Sequence, residues 1–225
     1  MLALSRKVIA YQREFGVQRT IKHAVHRLAE NWHERRLGIR SAEYIQLPEL
    51  GIHNSQCKPY APAEHRTLRR IMRRLDIRSG HDVFIDYGSG MGRVVVVAAT
   101  YPFKRVIGVE IAPQLDVVAR ENVRRASPRL RCRDIDLIAV DANTYSLPND
   151  VTVVFIYNSF VGDILSNVLG NIRKSLDEAP RKLTLVYANP RHFESELRAR
   201  TWLKKREELK APYTGQKVYI CESVA

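Results

Sequence analysis

From residue 83 onward, short apolar segments of strand length alternate with segments of helical periodicity, and this alternation restricts the fold more than any other feature. The strand segments are almost continuously apolar, which is typical of a parallel sheet covered by helices on both faces. Three helices are predicted between them, in RVVVVAATY, in PQLDVVARENVRRA and over residues 163–176. The five predicted strands are VFIDY (83–87), RVIGVE (105–110), IDLIAVDA (135–142), VTVVFIYN (151–158) and KLTLVYAN (182–189).

The C-terminal segment departs from this alternation. TWLKKREEL and GQKVYICESV are predicted as two strands joined by a turn between Pro212 and Gly215, which gives an antiparallel hairpin. The prediction is therefore an α/β fold with a doubly wound, mostly parallel seven-strand sheet. The sheet ends in a C-terminal antiparallel hairpin and is preceded by N-terminal helices.

The first third of the chain is predicted to be helical and basic. One helix is predicted in VQRTIKHAVHRLAENWHERR and a second, amphipathic helix ends near Gly80, with a Pro- and Gly-containing loop over 46–65 between them. We expect the apolar stripe of the first helix to pack on the neighbouring domain, with a membrane or nucleic acid as the alternatives. We divide the chain into a basic helical segment, 1–80, that covers the site, and a domain, 81–225. The stripe consists of Val17, Ile21, Val25, Leu28 and Trp32.

The formal net charge is +13, and most of the excess lies before residue 81. Such a surface either binds phosphate-rich partners, meaning nucleic acid, a nucleoprotein or an anionic membrane, or is simply solvated. No segment reaches the ~18 apolar residues of a membrane span, and MLALSRKVIAYQRE has no signal-peptide cleavage site. Three separated cysteines without a CxxC motif argue against zinc and disulfides, so we predict a cytoplasmic protein without a metal site.

A glycine-rich turn, FIDYGSGMGR (84–93), directly follows the first predicted strand. A dinucleotide fingerprint would place Arg93 where a third small residue is needed, and no Gly-Lys-Ser/Thr follows for a P-loop. The acid that precedes the glycines, Asp86, would repel a pyrophosphate but attract a cationic amine. S-adenosylmethionine carries such an α-amino group, and its carboxylate can bind amides at the helix start. The residues assigned to this ligand are Asp86, Gly88, Ser89, Gly90 and Gly92.

Two more acids follow predicted strands at positions where a nucleoside needs them. Glu110 ends the second strand, about 20 residues after the glycine turn, where an acid binds ribose hydroxyls. Asp141 and Ala142 end the third strand, where they can flank an adenine. Because the carboxyl ends of parallel strands meet at one edge of a sheet, these acids and the glycine turn predict one shared site.

This combination resembles the class I, seven-strand S-adenosylmethionine-dependent methyltransferases from residue 83 to the C-terminus. The resemblance implies that Asp86 and residues 88–92 line the methionine moiety, that Glu110 holds the ribose and that Asp141 and Ala142 flank the adenine. It implies an enzyme that transfers a methyl group from this cofactor.

A closer resemblance includes KPYAPAEH, DVFIDYGSGMGRVVVVAA, GVEIA and VVFIYNSFVGDIL, and is to the non-SET histone lysine methyltransferases of the disruptor-of-telomeric-silencing type. It implies that Tyr60 lies in a loop that closes over the cofactor and that Asn158 and Phe160 lie near a lysine channel. The function expected is N-methylation of a protein lysine. Alternatives are an RNA or DNA base, a small molecule, or a non-catalytic nucleic-acid-binding module with a vestigial cofactor site. Arg93 is predicted to lie on the surface of the helix that follows the glycines.

Overall fold

The computed structural model describes residues 17–224. The expectation about MLALSRKVIAYQRE and the beginning of the 1–80 segment lie outside the described residues, and the side chain of Val17 is likewise not described. No helix within the described range is long and apolar enough to cross a membrane.

A seven-strand sheet forms the centre of the fold. Its strands are β1 (Val83–Tyr87), β2 (Arg105–Glu110), β3 (Ile135–Ala139), β4 (Val151–Ile156), β5 (Thr184–Ala188), β6 (Leu203–Lys210) and β7 (Lys217–Ser223). Their order in the sheet is β3-β2-β1-β4-β5-β7-β6. Strands β1 to β5 pair in parallel, and β7 pairs antiparallel with both β5 and β6. The predicted mostly parallel sheet with a C-terminal hairpin is therefore confirmed. The order reverses at β1, which places a switch point where the glycine turn leaves this strand.

Helices cover both faces of this sheet, because successive strand side chains point to opposite faces. Phe84 and Phe155 share one core layer with the helices at residues 65–72 and 93–99, whereas Ile85 and Val154 share the other with the helix at residues 162–178. Short 3-10 helices occur at Leu47–Leu50 and Ser127–Arg129. The α-helices are α1 (Val17–Leu37), α2 (His65–Met72), α3 (Arg93–Ala99), α4 (Pro113–Ala126), α5 (Gly162–Glu178) and α6 (Phe193–Arg198).

The apolar stripe of α1 faces outward, so the expectation that it packs on the neighbouring domain is wrong for the described residues. Its members are exposed, from 54% for Trp32 to 70% for Leu28. The opposite face of α1 contacts the domain instead, because Glu30 and Glu34 both bind the buried Arg93 at the start of α3. α1 is thus oriented by this ion-pair network and by the packing of Leu37 against the core, and not by its apolar stripe.

Candidate active site

The glycine turn is held against β2 by backbone hydrogen bonds. The amides of Gly88 and Ser89 both donate to the carbonyl of Val109, at 2.8 and 3.0 Å. Gly88, Gly90 and Gly92 have φ values of 78°, 54° and 76°, a left-handed conformation that favours glycine. The turn therefore has a fixed shape at the carboxyl ends of β1 and β2.

Asp86 lies at the end of β1 and is 1% exposed. Its Oδ2 has no hydrogen-bond partner among the described residues. Burial, and secondarily the charge of Glu110, raise the pKa of this carboxyl well above its usual range. A buried carboxylate without a partner destabilises a fold, and its orientation toward the cleft makes it an acceptor for a cationic ligand group.

The other two predicted acids also lie at strand ends on this edge. Glu110 accepts hydrogen bonds from the amides of Gly90, at 2.7 Å, and Ala112, at 2.9 Å. Burial raises the pKa of Glu110, and these hydrogen bonds oppose that shift. The half-buried Asp141 accepts from the amide of Asn143 at 2.8 Å. Both carboxylates are therefore held in place while each oxygen retains a second lone pair for a hydroxyl or amine.

Tyr60 lies on the segment that crosses the cleft before α2. Its backbone pairs with Ile45, its hydroxyl donates to the carbonyl of Ser41 at 2.8 Å, and burial raises its pKa. The ring lies directly on Gly90, where a Cβ would be 2.2 Å from its Cε2. The absence of a side chain at Gly90 thus leaves space for the Tyr60 ring. Sequence analysis did not predict this contact between Gly90 and Tyr60.

The end of β4 contacts the same segment. The amide of Lys58 donates to the carbonyl of Ser159 at 3.0 Å, and Ser159 Oγ donates to the carbonyl of Tyr87 at 3.0 Å. Asn158 has a φ of 45°, which is uncommon for a residue with a side chain, and its buried Oδ1 has no partner among the described residues. Phe160 is buried. Strain and an unpaired acceptor together are typical of functional positions.

These residues surround a cleft of about 900 Å³, counting space open to solvent. Gly90, Gly92 and Asn158 do not line the cleft, although each is adjacent to a residue of the site. The predicted residues that do line it are Tyr60, Asp86, Gly88, Ser89, Glu110, Asp141, Ala142 and Phe160.

Arg93 does not lie on a helix surface, so that prediction is wrong. It is 3% exposed, and its guanidinium donates to Ser41 Oγ, to the carbonyl of Ala63 and to the carboxylates of Glu30 and Glu34. Because a buried guanidinium requires partners for its donors, it fixes α1 and the segment that covers the cleft. The sequence signal for this role is the pair Glu30 and Glu34, one helical turn apart and opposite the apolar stripe.

Comparison with known proteins agrees with this geometry. Residues 55–176 match the family model described as histone methylation protein DOT1. A ribosomal protein L11 methyltransferase from Thiobacillus denitrificans is 32% identical over 111 residues, which cover 49% of this chain. The chain spans about a third of that relative's length, 33%.

Solved structures show the same fold at low identity. An RNA methyltransferase from Salinibacter ruber, in complex with S-adenosyl-L-homocysteine, matches with a TM-score of 0.51 and 22% identity, covering 71% of this chain and 92% of that one. An S-adenosylmethionine-dependent O-methyltransferase from Thermotoga maritima matches with a TM-score of 0.55 and 15% identity, covering 73% and 67%. The family match extends over more than half of the chain and includes the glycine turn, Glu110 and the end of β4. The chain therefore belongs to the histone methylation protein DOT1 family, and it carries a domain with the class I methyltransferase fold.

Proposed function

We propose that this chain methylates an amine nitrogen, and that the amine is the side chain of a protein lysine. The observation that carries the proposal is the composition of the cleft, which Tyr60, Tyr157 and Phe160 line and in which no described lining residue is a histidine. Aromatic walls attract ammonium groups. Burial then lowers the pKa of the amine, so that it becomes a nucleophile without a histidine base. The family's description as histone methylation proteins supports a protein acceptor.

The residues of the cleft fit S-adenosylmethionine, the cofactor that the proposed reaction requires. Asp86 offers an unpaired buried carboxylate oxygen to the α-amino group, Glu110 accepts from the ribose hydroxyls, and Asp141 and Ala142 flank the adenine. When bound, S-adenosylmethionine supplies a methyl group on a sulfonium, a leaving group that needs no acid. The chain's contribution is therefore alignment and exclusion of water.

Asn158, Phe160 and Tyr60 are proposed to act on the acceptor. Tyr60 is held by Ile45 and Ser41 over the glycine turn, where it excludes water from the cleft. Phe160 supplies an apolar wall beside the acceptor. Asn158 follows Tyr157, which lines the cleft, and its Oδ1 lacks a partner among the described residues. The side chain is proposed to turn into the cleft when the acceptor binds, so that Oδ1 accepts an N–H of the lysine amine and directs its lone pair.

A nucleic-acid base is the second candidate acceptor. It is favoured by the net charge of +13 and by the similarity to an RNA methyltransferase structure. We propose a nucleoprotein as the partner, since both candidates occur there. The cysteines among the described residues are all free, which supports a reducing, cytoplasmic location.

The acceptor class is tested by methyl transfer from isotope-labelled S-adenosylmethionine into a whole-cell extract, with the product divided between protease and nuclease. We expect label that only protease releases, and a methylated lysine in mass spectrometry. Label that only nuclease releases would replace the lysine by a base. Cofactor binding by calorimetry without label in either fraction would rule out both acceptors while leaving the cofactor site intact.

The role of Asn158 is tested by Asn158→Ala. We expect kcat to fall by about tenfold to a hundredfold, because the amine loses its orientation, whereas the Kd of the cofactor stays unchanged. Asn31→Ala, at an exposed position of α1, is the matched control and leaves both constants unchanged. A weaker cofactor affinity without a change in kcat would show that Asn158 does not position the acceptor.

A further inference from the structure

A second cavity, of about 970 Å³ including space open to solvent, lies among α1, α2, the end of α3 and the 3-10 helix Ser127–Arg129. It shares no lining residue with the cofactor cleft. Its polar lining consists of three arginines, two histidines, Thr100 and Tyr101, and no carboxylate occurs among its described lining residues. The basic residues that line it are His33, Arg36, His65, Arg69 and Arg129.

The three arginines of this cavity are not neutralised by the protein. Within residues 17–224, Arg36, Arg69 and Arg129 form no ion pair, whereas Arg120 and Arg124 each bind a carboxylate on their own helix. The guanidinium of Arg36 lies 5.3 Å from the centroid of the Trp32 ring, which restrains it at the rim. Cations from three separate elements that converge without a counter-ion repel one another, and an anion between them removes that repulsion.

His65 lines the cavity, and one of its ring nitrogens has no hydrogen-bond partner among the described residues. The residue is 1% exposed, and its Nε2 has no hydrogen-bond partner among the described residues. Its backbone amide donates to Glu30 Oε1 at 3.0 Å, and its ring centroid lies 5.3 Å from that of His33. Burial, together with the charges of Arg93, His33 and Arg69, lowers the pKa of His65 to about 2. The ring is therefore neutral, and in the Nε2–H tautomer it carries a hydrogen-bond donor that no described residue accepts.

We propose that this cavity binds a phosphate group, either of a free phosphate anion or of a polynucleotide backbone. Guanidinium groups bind phosphate oxygens through paired N–H donors, and three of them line this cavity. His65, which also lines the cavity, adds a neutral ring with an N–H donor. Because the two cavities have separate linings, phosphate and cofactor bind at the same time, and the proposal does not depend on the identity of the methyl acceptor.

Affinity measurements test this proposal on the full chain. Inorganic phosphate is titrated by calorimetry, and a fluorescein-labelled single-stranded oligoribonucleotide by anisotropy, at low and at physiological salt. Arg69→Gln and Arg129→Gln should each weaken binding about tenfold, since each removes a charge-assisted contact. Arg73→Gln is the control: Arg73 lies one helical turn after Arg69 and does not line the cavity, so its loss should leave the affinity within about twofold of the wild-type value.

The two ligands distinguish the source of the phosphate. Binding of both probes with this pattern of variants assigns the site to a free anion as well as to a backbone, and binding of the oligonucleotide alone assigns it to a polynucleotide. Equal affinities of wild type, Arg69→Gln and Arg129→Gln for both probes would overturn the proposal, as would the failure of both probes to bind.

The NMR resonances of the histidine rings give an independent test of phosphate binding in the cavity. Saturating phosphate should shift the ring resonances of His33 and His65 in NMR spectra. The ring of His81, whose Nδ1 lies 2.9 Å from the carbonyl of Ser79 on another surface, should stay unmoved. Equal shifts for all three rings would indicate a general effect of the anion and contradict the site.

Discussion

At the scale of single residues, the ionised form of Asp86 opposes folding, because the carboxylate is buried beside Glu110 without a partner among the described residues. Its pKa in the folded chain lies well above the value of 3.8 expected in the unfolded chain. As the pH rises past that value, the unfolded chain releases the proton first, so stability falls until the folded pKa is reached. A cationic ligand removes this penalty, which couples cofactor binding to stability.

Asp86→Asn should therefore raise the stability of the cofactor-free protein and weaken cofactor binding. The melting temperature should rise at pH 8 by about 2–4 °C for each kcal/mol gained, and the rise should shrink toward pH 4. The Kd for S-adenosylmethionine should increase by about tenfold or more, since a charge-assisted contact is lost. Differential scanning fluorimetry at both pH values and calorimetry measure the two effects.

Asp76→Asn is the control, because Asp76 is exposed and forms no ion pair with a described residue. It should change neither the melting temperature nor the Kd. A lower melting temperature for Asp86→Asn, with cofactor affinity retained, would show that Asp86 stabilises the fold and does not hold the cofactor.

At the scale of elements, the two faces of α1 differ in what they contribute. The apolar face, with Leu28 at 70% exposure, contacts no core layer. The acidic face, through Glu30 and Glu34, neutralises Arg93 at the start of α3. A hydrophobic stripe normally predicts the buried face of a helix, but in α1 the acidic face is the one that lies against the domain.

An alanine substitution on the exposed apolar face of α1 and one at the buried Arg93 should differ in their effect on the free energy of unfolding. Leu28→Ala should change it by less than about 0.5 kcal/mol, as for other exposed positions. Arg93→Ala should lower it by about 3–5 kcal/mol, because Glu30 and Glu34 lose their buried partner. Urea unfolding followed by circular dichroism measures both values. Comparable losses for the two variants would mean that the apolar face of α1 is covered in solution.

Elements with a strong local pattern were predicted well. The bounds of β1, β2 and α4 match the predicted segments VFIDY, RVIGVE and PQLDVVARENVRRA, because an apolar run or a helical period is interrupted by Gly, Pro or charge at each end. The third strand was predicted to residue 142 but ends at Ala139, since Val140 to Ala142 already turn into the site. The short helix α6 was not predicted, because six residues carry too little periodicity.

The candidate site was predictable only where topology positions it. The strand-end acids Asp86, Glu110 and Asp141 do line one cleft, since parallel strands bring their carboxyl ends together. The side chain of Asn158 does not line it, because its direction depends on a left-handed backbone that sequence does not indicate. The ring of Tyr60 on Gly90 is a contact between distant segments, and no local pattern encodes it.

At the scale of the whole molecule, the segment before residue 81 contributes to the same core as the sheet. Leu68, Ile71 and Met72 of α2 are fully or almost fully buried in the layer that contains Phe84 and Phe155. Each such side chain stabilises the folded state by about 1.5–3 kcal/mol, and the total is comparable with the 5–15 kcal/mol stability of a typical domain. By contrast, α1 adds only the partly buried Leu37 to this layer among the described residues, and it also contacts the domain through the ion pairs of Glu30 and Glu34 and the stacked rings of His26 and Tyr213.

Two truncated chains should therefore behave differently. Residues 81–225 lack α2 and should not fold cooperatively, whereas residues 38–225 keep α2 and should fold with reduced stability, since Arg93 loses two carboxylates but retains Ser41 and Ala63. Far-ultraviolet circular dichroism during thermal unfolding gives the cooperativity of each chain, and calorimetry with S-adenosylmethionine shows whether the cleft persists in residues 38–225. A cooperative transition for residues 81–225 would instead make residue 80 a true domain boundary, with α2 a covering element rather than part of the core.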